Sequence, residues 1–153
     1  MPGFSASINM PGIDRLNQAI SKVAGLGGQD RKGLLDAIGG LIESQTQVRI
    51  EEEKASPDGK PWPEWSDDYA KTRHSGQSLL QNEGDLVDDL SHRVIGTMAV
   101  ETGVRVVYGP TQQFGDEDRG IPAREFLGYS EGNVDDLVAL CDDYIAGLTN
   151  GIH

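Results

Sequence analysis

The sequence predicts an α+β fold in which a small antiparallel sheet packs against a long helix and a C-terminal helix. Apolar residues recur at helical spacing over residues 31–53 and again over residues 132–148. Between them, residues 94–108 alternate apolar and polar positions in two short runs, which is typical of a β-hairpin. Because the periodicity is helical, then alternating, then helical again, both helices can bury their apolar stripes against one sheet.

Two helices are expected before the sheet. Residues 13–23 carry apolar side chains three and four positions apart, and the glycines of residues 25–28 end this first helix. Asp30 is the predicted N-cap of the long helix, residues 31–53. The stripe of the long helix comprises Leu34, Leu35, Ile38, Leu41, Ile42, Gln45 and Val48. Gly39 and Gly40 each cost about 1 kcal/mol there relative to alanine. They indicate a close backbone approach, a kink or merely a tolerated weak point.

The sheet is expected to be a hairpin of residues 94–101 and 104–108, joined across Thr102 and Gly103. A short helix over residues 84–92 leads into it, and Ser66 is the predicted cap of one or two helical turns over residues 67–73. The alternating residues Phe4, Ala6, Ile8 and Met10 predict a further short strand.

The C-terminal helix is predicted to bury one face and to expose an acidic one. The apolar face consists of Val134, Leu137, Val138, Cys141, Tyr144, Ile145 and Leu148. The opposite face carries Asp135, Asp136, Asp142 and Asp143. Cys141, the single cysteine, cannot form an internal disulfide, and its place in the stripe predicts a core residue rather than a nucleophile.

Size and charge limit the possible functions. A chain of 153 residues predicts one domain, residues 1–153, with a net charge of −12. Only two basic residues accompany nine acidic ones after residue 114. Such a surface repels a phosphate backbone, so we expect no sequence-independent nucleic-acid binding, and any DNA that passes is expected not to be bound specifically. The acidic residues either line a passage through which DNA slides or only keep the protein soluble. We expect neither a membrane span nor a signal peptide, since no long apolar run is present.

No catalytic or metal site is predicted, and no cofactor. The three histidines, His74, His92 and His153, lack the spacing of metal ligands. Adjacent aspartates diverge by about 100° on a helix, so they do not converge on one substrate atom. Residues 116–118 are acidic but lack the remaining ligands and the glycine of a calcium loop. The less favoured alternative is a hydrolase that uses scattered carboxylates.

Two irregular segments are the candidates for binding. The first, here called the tryptophan loop, is the Pro/Trp-rich residues 54–66 and contains Trp62 and Trp65. These side chains either cap the core or anchor an interface, where tryptophan is enriched. The second, here called the docking segment, is residues 109–130. In it Phe126 is the expected core anchor, and Arg124 is the expected contact for an acidic neighbour.

The same two segments carry a resemblance to a known family. The sequence QFG at residues 113–115, followed by IPAREFLG at 121–128, resembles the phage virion morphogenesis family. This family comprises tail-completion proteins of Mu-like and P2-like tailed phages. The sequence SPDGKPWPEW at 56–65 and the leucine-rich residues 79–86 agree with it in order. One departure is Gln112, which stands where the family often has a histidine.

The resemblance implies a non-enzymatic structural protein of the virion, assembled in the bacterial host cytoplasm. It implies a closed homo-oligomeric ring at the head–tail junction, hexameric or alternatively dodecameric, that contacts neck, connector and tail-tube proteins while DNA passes. A minor head component or virion assembly factor is the alternative. We predict that Trp62, Trp65, Phe114, Arg124 and Glu125 lie at the interface between copies. Of these, Trp62, Trp65 and Arg124 are expected to contribute more to assembly than to the stability of the isolated domain.

Overall fold

The computed structural model describes residues 12–72, 79–80 and 85–150 of the chain. The elements in order are α1 (Ile13–Ala24), α2 (Gly28–Val48), α3 (Asp67–Ala70), α4 (Asp85–Asp88), β1 (Ser91–Ile95), β2 (Ala99–Gly103), α5 (Gly109–Phe114) and α6 (Glu131–Asn150). The two strands form an antiparallel sheet that contacts α2, and α2 also contacts α6. The predicted α+β class is therefore confirmed. The strand predicted from Phe4 to Met10 lies outside the described residues.

Helices α1, α2 and α6 share one core. Leu34 and Cys141 are fully buried between them, with Val23 from α1. Arg15 and Lys22 of α1 pair with Asp135 and Asp142 of α6, so these two helices run parallel. The predicted apolar face of α6 is largely confirmed, and its four aspartates are exposed.

The long helix differs from its prediction at both ends. It begins at Gly28 after Gly27, so Asp30 lies in its first turn instead of capping it. There its carboxylate is favourably placed beside the positive end of the helix dipole. At the other end a π-helical turn, Arg49–Glu53, continues α2 as far as predicted. Val48, predicted in the apolar stripe, is exposed, whereas Arg49 and Ile50 are buried.

The hairpin is present, but it is displaced from the predicted position. Its strands are joined at residues 96–98, where Gly96 adopts a φ of +60° that other residues reach only with strain. Thr102 and Gly103 belong to β2, and the predicted helix over residues 84–92 ends at Asp88. Residues 104–108 form no strand. The carboxylate of Asp89 instead accepts hydrogen bonds from the main-chain nitrogens of Arg105 and Val106.

A close approach explains one of the two glycines in the middle of α2. A β-carbon at Gly39 would lie 2.5 Å from Cδ2 of His92 and 2.8 Å from Cγ2 of Val100. At Gly40 the nearest such contact is an ordinary 3.7 Å. Gly39 therefore lets the hairpin pack directly on the helix backbone, while Gly40 is tolerated.

A second core lies beneath the tryptophan loop and the docking segment. Its buried members are Ile50, Trp62, Leu79, Leu86, Leu90 and Phe126. Phe126 is fully buried, as predicted for the anchor of the docking segment. This second core fixes the position of both candidate binding segments relative to α2.

Candidate functional site

The docking segment has an irregular backbone apart from two short helical stretches. It opens with α5, continues through a 3-10 turn at Glu117–Arg119 and then extends to the start of α6. The isolated bridge between Asp116 and Ile121 closes the acidic loop. Ser130 and Asn133 cap the start of α6 with reciprocal hydrogen bonds of 3.0 and 3.1 Å. Hydrogen bonds therefore hold both the acidic loop and the junction of the segment with α6.

The side chain of Gln113 forms hydrogen bonds with the main chain of residues 126–127, as a neighbouring strand would. Its side-chain Oε1 accepts hydrogen bonds from the main-chain nitrogens of Phe126 and Leu127, both at 3.0 Å. Its Nε2 donates to the main-chain oxygen of Leu127 at 3.1 Å. Because Gln113 is buried, these bonds are shielded from water and hold residues 126–127 firmly against α5.

Arg124 and Trp62 join the docking segment to the tryptophan loop. Arg124 donates from Nε to the oxygen of Pro63 at 2.8 Å and from Nη2 to the oxygen of Glu64 at 3.2 Å. Trp62 of the tryptophan loop in turn donates from Nε1 to the main-chain oxygen of Glu125 in the docking segment at 3.0 Å. Burial lowers the pKa of the Arg124 guanidinium, although nearby Glu64 counteracts this effect. The two segments therefore form one surface.

Arg49 is the central residue of this arrangement, and the sequence analysis missed it. Its guanidinium is 1% exposed and donates to the oxygens of Phe126 at 2.9 Å and Gly128 at 3.3 Å. It also donates to Oδ1 of Asn133, and Glu53 lies 3.9 Å from its Nε. Burial lowers the pKa of Arg49, an effect that Glu53 opposes. The available signal was its position seven residues after Ile42, on the apolar face of the helix.

The five predicted interface residues separate into two groups. Trp62 and Arg124 are buried, and their hydrogen bonds are made within the chain. Phe114 is 46% exposed and Glu125 is also exposed, while Trp65 is half-buried with its ring edge-on to Tyr69. The structure therefore gives the first group a stabilising role within the domain. A contact of any of the five with another subunit stays a prediction.

Two further titratable groups, Asp116 in the docking segment and Cys141 in α6, have shifted pKa values. Asp116 accepts a hydrogen bond from Nε of Arg119 at 2.6 Å, which lowers the pKa of this carboxyl group. Burial raises the pKa of the Cys141 thiol. Over the described ranges, no cluster of three potential metal ligands occurs. Among the helices of these ranges, none has the length and apolar content that crossing a membrane requires.

His92 is one of the three histidines predicted to lack the spacing of metal ligands, and in the structure it has two carboxylate partners. Nδ1 of His92 lies 2.6 Å from Oε2 of Glu43, and Nε2 lies 3.0 Å from Oδ1 of Asp36. The two carboxylates contact opposite nitrogens of the ring, so they do not converge on one point in space. Their hydrogen bonds raise the pKa of His92, with Glu43 as the largest cause.

Comparison with known proteins gives one match. The sequence model of the phage virion morphogenesis family matches residues 12–145, which include both the tryptophan loop and the docking segment. No curated protein and no solved structure matches the chain significantly.

Proposed function

The chain belongs to the phage virion morphogenesis family, and we propose that it forms a tail-completion ring at the head–tail junction. Membership itself supports a structural or assembly role in the virion, and hence an association with the virion. The observation that carries the finer proposal is the extent of the match, since it covers the tryptophan loop and the docking segment together.

The construction of the docking segment supports a role in assembly. Side chains from three other parts of the chain hold its backbone, so its exposed residues are presented in one arrangement. A surface that is rigid before binding loses little conformational entropy when a partner is bound. Phe114 and Tyr108 expose large aromatic side chains on either end of α5, at 46% and 42%. Aromatic residues of this kind concentrate binding energy at protein interfaces.

The charge distribution suits a ring that surrounds DNA. Asp136 and Asp143 lie seven positions apart on the exposed face of α6, and both carboxylates point to solvent. Such a face repels the DNA backbone and so favours passage over binding. We propose a hexamer, with a dodecamer as the alternative, whose outer faces contact neck, connector and tail-tube proteins.

The proposal is tested in the phage or prophage genome that encodes the chain. Phe114→Ser is compared with Ile95→Ser, because both side chains are 46% exposed but Ile95 lies on the hairpin. We expect Phe114→Ser to yield separate heads and tails in electron micrographs, and Ile95→Ser to yield complete particles. Thermal unfolding of both purified variants controls for loss of folding. Normal assembly with Phe114→Ser would contradict the role of the docking segment.

Mass spectrometry of isolated tails and isolated heads separates the proposal from its alternative. A tail-completion protein is expected in the tail fraction and in complete particles. Recovery only with heads would support a minor head component, and absence from both fractions would support an assembly factor. A symmetric reconstruction of the neck that shows a single copy would contradict the ring.

A further inference from the structure

An apolar groove of about 250 Å³ lies between α1 and α2, with buried residues of α6 at its base. Helices α1 and α2 each pack on α6 but barely on each other, so the space between them stays open. Ile20 of α1 is 48% exposed on one side of the groove, and Met98 at the tip of the hairpin is 67% exposed on the other. Large apolar side chains around an open groove are typical of a surface that another molecule covers.

A second apolar surface lies at the start of the docking segment. It consists of Val107, Pro110 and Phe114 and is here called the α5 stripe. Val107 is 96% exposed, Phe114 is 46% exposed, and Pro110 is exposed as well. The main-chain nitrogen of Gln112 donates to the oxygen of Tyr108 at 3.1 Å, so the turn before α5 continues into the helix. Positions i, i+3 and i+7 share one face of a helix, and the three side chains therefore form one stripe.

The backbone beneath the α5 stripe is held in place before any partner binds. The carboxylate of Asp89 accepts a hydrogen bond from the main-chain nitrogen of Val106 at 2.8 Å. A β-carbon at Gly109 would lie 2.9 Å from Cγ2 of Val104, so the turn packs closely on the residues before it. On the opposite side of α5, Gln113 is buried and bonded to the docking segment. A surface fixed in this way loses little conformational entropy on binding.

The groove and the α5 stripe match in length. Leu35, Ile38 and Ile42, which form the α2 wall of the groove, recur at positions i, i+3 and i+7. This is the spacing of the α5 stripe, and it corresponds to about 10 Å along a helix. Recognition of a helix by an apolar groove uses anchor residues with the same spacing. Two helical turns of apolar side chains therefore face two turns of apolar wall.

The charge of the chain favours a second copy as the molecule that fills the groove. Residues 106–115 contain no charged side chain, and neither do residues 94–100 at the tip of the hairpin. The residues that line the groove are uncharged as well. Two copies with a net charge of −12 each repel one another, so they approach most favourably where acidic residues are absent. Depletion of charged residues is also typical of the core of a protein interface.

The two surfaces lie too far apart to meet within one chain. Val104 and Val106, next to the α5 stripe, pack on the second core around Ile50. Ile38 lines the groove twelve positions earlier in the chain, which is about 18 Å along the helix. A contact between stripe and groove therefore joins different surfaces of two copies. Such a head-to-tail contact generates a closed ring when its rotation closes.

We propose that the α5 stripe of one copy binds in the groove between α1 and α2 of the next copy. This contact rests on the proposed ring and identifies the two surfaces that build it. Val107, the most exposed large apolar side chain, becomes buried against Ile20 and Met98 of the neighbouring copy. Each copy supplies one stripe and one groove, so no apolar surface of this kind is left over once the ring has closed.

Cysteine crosslinking in cells that produce the phage tests the contact. In a Cys141→Ala background, Val107→Cys is combined with Met98→Cys, and a short bismaleimide that enters cells is added. Every copy then carries both halves of the contact, so we expect a ladder of products from the dimer up to the complete ring. Either cysteine alone should give no crosslink, because a head-to-tail contact does not bring identical residues together.

A matched control and a second background keep the test specific. Val107→Cys with Val48→Cys should give no ladder, since Val48 is 43% exposed but does not line the groove. The same pairs are also made with Cys141 retained, because this buried thiol reacts slowly and its replacement could disturb the core. Thermal unfolding of the purified variants verifies that each one folds.

The outcomes separate this contact from the ring itself. A symmetric ring in the neck without a ladder would overturn the contact and leave the proposed function in place. A single copy in the neck without a ladder would overturn both. Dimers from Val107→Cys alone or Met98→Cys alone would indicate a two-fold contact and would also overturn the proposal. Crosslinks from Met98→Cys to another protein would assign the groove to a different occupant.

Discussion

The guanidinium of Arg49 donates a hydrogen bond to the main-chain oxygen of Phe126 across 77 positions of the sequence. Through this bond the end of the long helix holds the docking segment at the point where Phe126 enters the core. Arg49 is the largest side chain among the residues that are fully buried. The shape of the exposed docking surface therefore depends on a residue that no partner can touch.

Replacement of Arg49 by methionine should destabilise the domain strongly. The change removes the donors for Phe126 and Gly128 and leaves their oxygens buried, which we expect to cost about 3 kcal/mol in the free energy of unfolding. Urea denaturation measures this cost. Arg93→Met is the matched control, since its partner Glu101 and Arg93 itself are more than half exposed. The control should cost at most about 1 kcal/mol, and equal costs would contradict the prediction.

Alanine at the two neighbouring glycines of α2 should have opposite effects. Gly39→Ala places a methyl group 2.5 Å from the His92 ring, so the hairpin has to shift, at a cost of about 2 kcal/mol. Gly40→Ala meets only an ordinary contact and should stabilise the helix by about 1 kcal/mol. Thermal unfolding of the two variants checks the contrast. Two stabilised proteins would mean that the hairpin does not lie against Gly39.

His92 should make the stability of the domain depend on pH above its ordinary pKa of 6.5. Its pKa is raised above the ordinary value of 6.5 by Glu43 and Asp36, so protonated His92 stabilises the folded state. This contribution is fully present below pH 6.5 and is lost as the pH rises through the raised pKa. We expect the stability difference between wild type and His92→Gln to shrink as pH increases, measured by urea denaturation. Glu43→Gln should move the decline to lower pH, and an unchanged profile would refute the pairing.

Two phenylalanines in the docking segment should separate stability from assembly. Phe126→Ala empties a fully buried site and should cost about 3–5 kcal/mol in the free energy of unfolding, whether or not a partner is present. Phe114→Ala, at a site that is 46% exposed, should cost less than about 1 kcal/mol. Calorimetry of the purified variants measures both. A comparable loss in Phe114→Ala would show that this side chain supports the domain.

The contacts of Arg124 also change the result expected from its removal. The sequence predicts a guanidinium that is available to an acidic neighbour, and hence a contribution of Arg124 to assembly more than to the stability of the domain. In the structure this group is buried and holds Pro63 and Glu64. We expect Arg124→Ala to lower the melting temperature as well, because the main-chain oxygens of Pro63 and Glu64 lose their donor and the buried side chain of Arg124 loses its packing. Its contribution to an interface is still to be measured.

The sequence by itself determined the long helices α1, α2 and α6, the fold class and the family. The stripes of α1 and α6 and the cap of α3 at Ser66 are local patterns, because the relevant residues lie within a few positions of each other. The resemblance carried by the docking segment led to the family that the match over residues 12–145 confirms. In each case the information lies in neighbouring residues.

Only the tertiary structure decided the register of the hairpin and the contacts of the docking segment. Glycine marks a turn at both Gly96 and Gly103, and the choice of Gly96 depends on the packing of His92 and Val100 on Gly39. The bonds from Arg49 to Phe126 and from Arg124 to Pro63 join residues more than sixty positions apart. Local periodicity contains no information about such pairs, since burial of a charged side chain becomes favourable only where the folded chain brings its acceptors together.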